Sequence, residues 1–240
     1  MKNIKSTQSK AGIAGLLCLL ALTFAGCIKN NNDGYYNSPQ QPVALVSVLN
    51  TAPSTGSVDF VMEPNKVNIN PIAYGDGLDY FPCNIGKRTF DFYNAGTQTV
   101  IKQDTMTLRD QQYYSLYLIG STTKEILRLT DTVKRPASGM AGIRLVNVSP
   151  DAGAVDLVIQ GGATLATNKG YKGYSGFVPV QGNKAYVIEV RKAGTTTVLA
   201  TLSSTNFHSD SIYTVWLQGL TASTDDNKLK TGLQQNVYWY

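Results

Sequence analysis

Side chains that could do chemistry are few in this chain. Its 240 residues include one histidine, His208, and three cysteines, Cys18, Cys27 and Cys83. Nucleophile–base catalysis usually needs a histidine held against a serine or cysteine. His208 stands in the polar run Asn206-Phe207-His208-Ser209-Asp210, which reads as a loop before a strand. One histidine and scattered cysteines exclude the ligand spacings of zinc sites, and Asp225-Asp226-Asn227 is too short for a calcium loop and reads as a solvated turn. A phosphate loop needs a glycine-rich turn that feeds a helix. No helix pattern follows Gly161-Gly162 or the glycines from Gly170 to Gly176, so these read as loops between strands. Carboxylates alone remain, as in glycosidases, where a pair stands roughly 5–10 Å apart. Asp76 and Asp79, between Tyr74 and Tyr80, are the nearest such pair. No catalytic, cofactor-binding or metal-binding residue is assigned, and the chain reads as a protein that is not an enzyme.

The cysteines serve other ends. Cys83 sits at an apolar strand position and reads as a small core residue. Cys27 follows a segment with its own logic. Met1 to Lys10 carries Lys2, Lys5 and Lys10 and no acid, and Ala11 to Ala25 is apolar. That run is shorter than the about 20 residues a bilayer core requires. A basic start, a short apolar stretch and the small residues Ala25 and Gly26 describe a secretory signal. The placement of Cys27 directly after them resembles the bacterial lipobox, with Phe24 where that family prefers leucine. The resemblance implies cleavage before Cys27, a diacylglycerol on its sulfur and an acylated amine. Two or three chains give stable membrane anchoring where one does not. The expected location is the cell envelope, lipid-anchored at the outer membrane. Residues 28–42 (IKNNNDGYYNSPQQP) are polar and without period, a flexible tether of roughly 20 Å r.m.s. span. Such Asn-rich tethers look like those of Bacteroidota lipoproteins, where acidic residues just after the cysteine favour surface export. Asp33 alone is present, which leaves both faces of that membrane open.

Composition agrees with a folded β protein. Apolar residues make up 42% of the chain and charged ones 15%, the latter well under the usual quarter. Twenty-two glycines, nine prolines and fourteen tyrosines favour short strands and turns. The formal charge of +5 falls to +2 when the three lysines of the signal are removed, leaving 18 basic against 16 acidic residues. A nucleic-acid partner thereby loses its support.

The chain also repeats itself. Ala52-Pro53-Ser54-Thr55-Gly56-Ser57-Val58-Asp59-Phe60-Val61 matches Ser149-Pro150-Asp151-Ala152-Gly153-Ala154-Val155-Asp156-Leu157-Val158 at an offset of 97. Val46, Val48 and Asn50 match Ile143, Leu145 and Asn147, Tyr74 matches Tyr171, and Pro82 matches Pro179. Further on, Ala95-Gly96-Thr97 meets Ala193-Gly194-Thr195, and Tyr114 to Gly120 meets Tyr213 to Gly219. Val58, Phe60 and Met62, and their counterparts Val155, Leu157 and Ile159, alternate with other residues, the signature of half-buried strands. Gly96 and Gly194 mark hairpin turns. About seven short strands fall in each unit, and no amphipathic helix does. The expected fold is all-β, two tandem immunoglobulin-like antiparallel β-sandwich domains after a signal peptide and tether. Its boundaries are residues 1–26 for the signal, 27–42 for the acylated cysteine and tether, 43–134 for the first domain, 135–140 for the linker and 141–240 for the second domain.

Two stretches suggest a family. Ile143-Arg144-Leu145-Val146-Asn147-Val148-Ser149-Pro150-Asp151-Ala152-Gly153-Ala154-Val155-Asp156-Leu157 resembles the opening of domain of unknown function 4397 (DUF4397). Tyr174-Ser175-Gly176-Phe177-Val178-Pro179-Val180 resembles its second marker. The resemblance spans roughly residues 43 to 235, with the first unit the more divergent copy. It implies a β-sandwich envelope domain, often in tandem and on a lipoprotein, and no activity.

Repeated residues outside the apolar pattern read as structural. Asp59 and Asp156 are expected to bond backbone near the Pro-x-x-Gly turn. Tyr114/Tyr213 and Tyr117/Trp216 are ordinary strand aromatics, whereas Tyr35-Tyr36 and Tyr238-Trp239-Tyr240 could supply a sugar-stacking platform. Asp104-Thr105-Met106, Asp131-Thr132-Val133 and Asp210-Ser211-Ile212 resemble the O-glycosylation acceptor of Bacteroidota, with Thr105, Thr132 and Ser211 as acceptors. The function expected is a membrane-anchored envelope lipoprotein acting as a non-catalytic structural or interaction module, partnered by the membrane and an envelope protein. The alternative is a glycan-binding accessory lipoprotein of a polysaccharide-uptake system. No cofactor is expected.

Overall fold

The computed structural model describes residues 41–240. The signal segment, Cys27, Tyr35-Tyr36 and the tether as far as residue 40 lie outside the described residues. The first repeat contributes β1 (Val43–Asn50), β2 (Val58–Met62), β3 (Asn65–Lys66), β4 (Gly77–Asn84), β5 (Gly86–Asn94), β6 (Val100–Leu108), β7 (Tyr113–Ile119) and β8 (Glu125–Asp131). The second contributes β9 (Met140–Asn147), β10 (Val155–Ile159), β11 (Thr164–Lys169), β12 (Val178–Gln181), β13 (Lys184–Lys192), β14 (Val198–Phe207), β15 (Ser211–Gln218) and β16 (Lys230–Tyr238).

Each repeat makes two four-stranded sheets in the same order, so the all-β sandwich reading is borne out. In the first the orders are β4-β1-β7-β8 and β3-β2-β5-β6; in the second, β12-β9-β15-β16 and β11-β10-β13-β14. Eight strands per repeat replace the expected seven. Pairing is antiparallel except for β1 with β7 and β9 with β15, which run parallel. Parallel neighbours need a long connection, and here five intervening strands provide it.

The repeat follows the hydrogen bonds as well as the strands. Asn50 Nδ2 donates to Gly56 O (2.7 Å) and Ile72 O (3.1 Å), and Asn147 Nδ2 to Gly153 O and Lys169 O (both 2.9 Å). These asparagines, not the aspartates, hold the Pro-x-x-Gly loop. Asp59 and Asp156 sit on β2 and β10, which pair with β5 and β13, so their carboxylates reach the next hairpin instead. They accept from Gly96 N–H and Gly194 N–H, each at 2.9 Å. Both glycines take left-handed backbone, with φ of 71° and 70°, as such a turn requires. The hydroxyls of Tyr114 and Tyr213 accept from the backbone N–H of Arg109 (3.3 Å) and His208 (3.0 Å), the corner tie of immunoglobulin-type sandwiches.

Each sandwich has its own core. Val46, Val48, Phe60, Phe90, Phe92, Leu116 and Leu118 fill the first, with Phe60 and Phe92 ring centroids 5.0 Å apart. Cys83 belongs to it, and burial pushes its thiol up to about 12. Ile143, Leu145, Val155, Leu157, Ile188, Val190, Val215 and Leu217 fill the second. A third apolar cluster joins them. Leu49, Tyr117, Ile119 and Leu129 of the first repeat meet Val146, Val148 and Trp216 of the second. The two inner sheets therefore pack face to face, giving four layers, and β1, β7, β9 and β15 are buried on both faces.

Candidate functional site: a groove where the repeats meet

The seam between the inner sheets is polar at one end. Arg144 alternates outward on β9, yet is only 3% exposed because the outer face of β7 and β8 covers it. Its Nε donates to Thr214 Oγ1 (2.7 Å), its Nη2 to Ser115 Oγ (3.2 Å), and its Nη1 forms an ion pair with Asp131. Asp131 Oδ2 also accepts from Ser115 Oγ and Tyr80 OH, both at 2.6 Å. Burial alone would lower the pKa of Arg144; the fields of Tyr117 and Asp131 and the hydrogen bond to Asp131 outweigh it, so the guanidinium stays charged. Burial raises Tyr80 and, to about 12, Tyr117, so both phenols stay protonated at neutral pH. Each of the three guanidinium nitrogens of Arg144 has a partner, which makes the group a fixed strut.

The flanks of this seam differ. On one, β16 lies against β4, with Gln234 Nε2 donating to Asp79 Oδ1 (3.0 Å) and Leu78 O (3.4 Å). Asp79 is thus engaged across the seam, and Asp76 is exposed. By repeat, β4 corresponds to β12 and β8 to β16, so the other flank should bring β8 to β12. There the strands stand apart, and a groove of about 480 Å³ opens. Thr130 and Thr132 form one wall, Lys134 to Pro136 the floor's edge, and the loop from Tyr174 to Phe177 with Pro179 the other wall. Phe177 is positioned by Arg144, whose guanidinium carbon lies 4.7 Å from the ring centroid. Tyr174 is 48% exposed. Arg135 Nε pairs with Asp210 Oδ1 (2.9 Å), and among the described residues Lys134 makes no ion pair.

The sequence singled out Tyr174 to Val180 as a motif without a role; this loop builds the groove. Lys134, Arg135 and Arg144 were missed as site residues. The signal for Arg144 lay in the strands it meets: Tyr117, Ile119 and Trp216 make β7 and β15 apolar on both faces, which marks strands buried twice. Of the other candidates, His208 is exposed in its loop. Asp225 closes its own turn, accepting from Ser223 Oγ (2.7 Å) and Asn227 N–H (2.8 Å), while Asn227 Oδ1 accepts from Ser54 N–H (2.7 Å) across the seam. Gly161 takes a φ of 70° in the β10–β11 turn. Thr105 and Thr132 are exposed, but Ser211 is fully buried and its Oγ accepts from Gln235 Nε2 (3.1 Å), which closes it to modification in the folded protein. Tyr114, Tyr117, Tyr213 and Trp216 are all buried; Tyr238 and Tyr240 are exposed, with ring centroids 4.7 Å apart. Among the described residues, no group of three or more His, Cys, Asp or Glu could hold a metal ion.

Residues 44–158 match the family described as domain of unknown function (DUF4397). The match runs from β1 through the first two strands of the second repeat, so it falls on the copy that reads as the more divergent. No curated protein matches the sequence. Among solved structures, the chain is similar to the CBMbc module (family CBM26) of Eubacterium rectale Amy13K in complex with maltoheptaose. Identity is 10% and the TM-score 0.27, over 81% of this chain and 97% of that one. It is also similar to a family 41 carbohydrate-binding module from streptococcal virulence factors, at 14% identity and a TM-score of 0.25, over 79% and 96%. Likeness at this level says nothing of what the groove holds.

Proposed function

We propose that this chain is a non-catalytic binding lipoprotein of the cell envelope. Lipid on Cys27 holds it at the outer membrane, the tether spaces it from the surface, and the groove between the repeats takes the partner. The observation that carries this reading is a preformed groove whose back wall is the buried Arg144–Asp131 strut. A cleft of this kind needs no rearrangement to bind, and junctions between domains are favoured places for ligand sites. Its lining of hydroxyls, cations and aromatic rings suits recognition.

Two experiments test it. Metabolic labelling with an alkynyl fatty acid should tag the wild-type protein and leave Cys27→Ala untagged and released from membranes; equal labelling of both removes the anchor. A photo-crosslinking residue placed at Tyr174 in intact cells should yield adducts that the same residue at Val198, exposed on β14, does not. Equal adducts from both positions remove the groove as the binding site.

A further inference from the structure

We infer that the groove is a site for an acidic oligosaccharide, one carboxylate of which meets Lys134 while a sugar ring lies on Tyr174. This rests on the binding reading above and names its ligand class. The first argument is charge. Three cations line the groove and no carboxylate does. Arg144 has its charge paired with Asp131 and is bonded to Thr214 and Ser115, and Arg135 is held by Asp210. Lys134 is left as one uncompensated positive charge at the rim, which selects an anion. The second is surface chemistry. Tyr174, half exposed, and Phe177, fixed by its guanidinium neighbour, offer ring faces beside the hydroxyls of Thr130 and Thr132. Apolar faces alternating with hydroxyl partners match a pyranose, which has C–H faces and a hydroxyl rim. The third excludes an extended acidic peptide. Such a peptide would add to the free edge of β12, but that strand is four residues long with Pro179 inside it, and proline offers no N–H to a ladder. The fourth is the repeat itself. The corresponding flank carries Gly77 where the groove has Tyr174, and it is closed by Gln234 on Asp79. The open flank is therefore where the two copies have diverged.

Isothermal titration of the full-length protein in detergent tests this with tetrasaccharides of galacturonate, guluronate and hyaluronan. The controls are their neutral methyl esters and tetra-aspartate. At least one acid tetrasaccharide should bind and weaken about tenfold on esterification, on Lys134→Gln and on Tyr174→Ala, each being one good contact. Tyr238→Ala should leave binding unchanged. The inference falls if no acid tetrasaccharide binds, if the ester binds as well as the acid, or if tetra-aspartate binds as well as any saccharide. If Tyr174 still crosslinks in cells while no acid saccharide binds, the groove reading stands and only the ligand class falls. If neither occurs, both fall.

Discussion

The two repeats share one scaffold and differ where their outer faces are used. Asn50 and Asn147, Asp59 and Asp156, and Tyr114 and Tyr213 make the same bonds in both copies, because each closes a backbone loop that any such sandwich must close. On the inner sheets, Ser47 of the first repeat corresponds to Arg144 of the second, and Tyr117 to Trp216. Those faces meet each other, and a seam between identical faces would place like groups together. Arginine on one side and Asp131 on the other make it complementary. On the outer sheets the copies differ again. Glu189 is held by Gln160 Nε2 (2.8 Å) and Arg191 (2.8 and 2.5 Å). Its counterpart Asp91 is fully buried with neither oxygen hydrogen-bonded, and Glu63 stands where Gln160 does. The second copy keeps a satisfied carboxylate; the first has an acid facing an acid.

The strongest way to break this comparison is at the seam. Arg144→Ala leaves Asp131 buried without its cation and should cost about 3–5 kcal/mol in urea unfolding. Ser47→Ala, at the corresponding position, should cost far less; equal losses would mean that Arg144 is not a strut. Trp216→Ala should cost a similar about 3–5 kcal/mol by opening a cavity against Leu49 and Tyr117.

The shared scaffold is tested next. Asn50→Ala and Asn147→Ala each remove two hydrogen bonds from a buried amide to loop carbonyls, and each should lose about 1–3 kcal/mol. Losses differing by more than that range would show that the two loops are not equivalent.

A smaller effect with opposite signs is expected at the outer sheets. Asp91→Asn supplies an amide donor towards Glu63 and should raise Tm by a few degrees at pH 7, whereas Glu189→Gln should lower it. Glu63 is pushed above its ordinary value, by partial desolvation first and the charge of Asp91 next. The folded state thus binds that proton more tightly than the unfolded one, so stability from this pair is greatest in acid and is lost as pH rises through the raised value. The gain from Asp91→Asn should accordingly shrink at pH 4; a gain independent of pH would contradict the pairing. Least of all, Tyr174→Ala should shift stability by no more than about 0.5 kcal/mol, as an exposed loop residue with no structural bond.

Much of this was legible in the sequence because it is local. The alternation of Val58, Phe60 and Met62, the glycines of the hairpins and the 97-residue offset each depend on neighbours along the chain, and the strands follow them. Asp59 and Asp156 were legible as structural residues but not in their partners, since the hairpin they hold belongs to the next strand pair. Ser211 reads like Thr105 and Thr132 in its tripeptide, yet its place on the core-facing side of β15 buries it.

By itself, then, the amino-acid order determined two copies of one β-sandwich, their cores and their turns, because side-chain period and turn chemistry act over a few residues. Tertiary structure alone decided which face covers each doubly apolar inner sheet, that Arg144 is buried rather than solvated, and that residues 130–136 and 174–179 enclose a groove. Those outcomes depend on which faces find each other across some 40 residues of chain and two separate sheets, and no periodicity in either segment encodes the meeting.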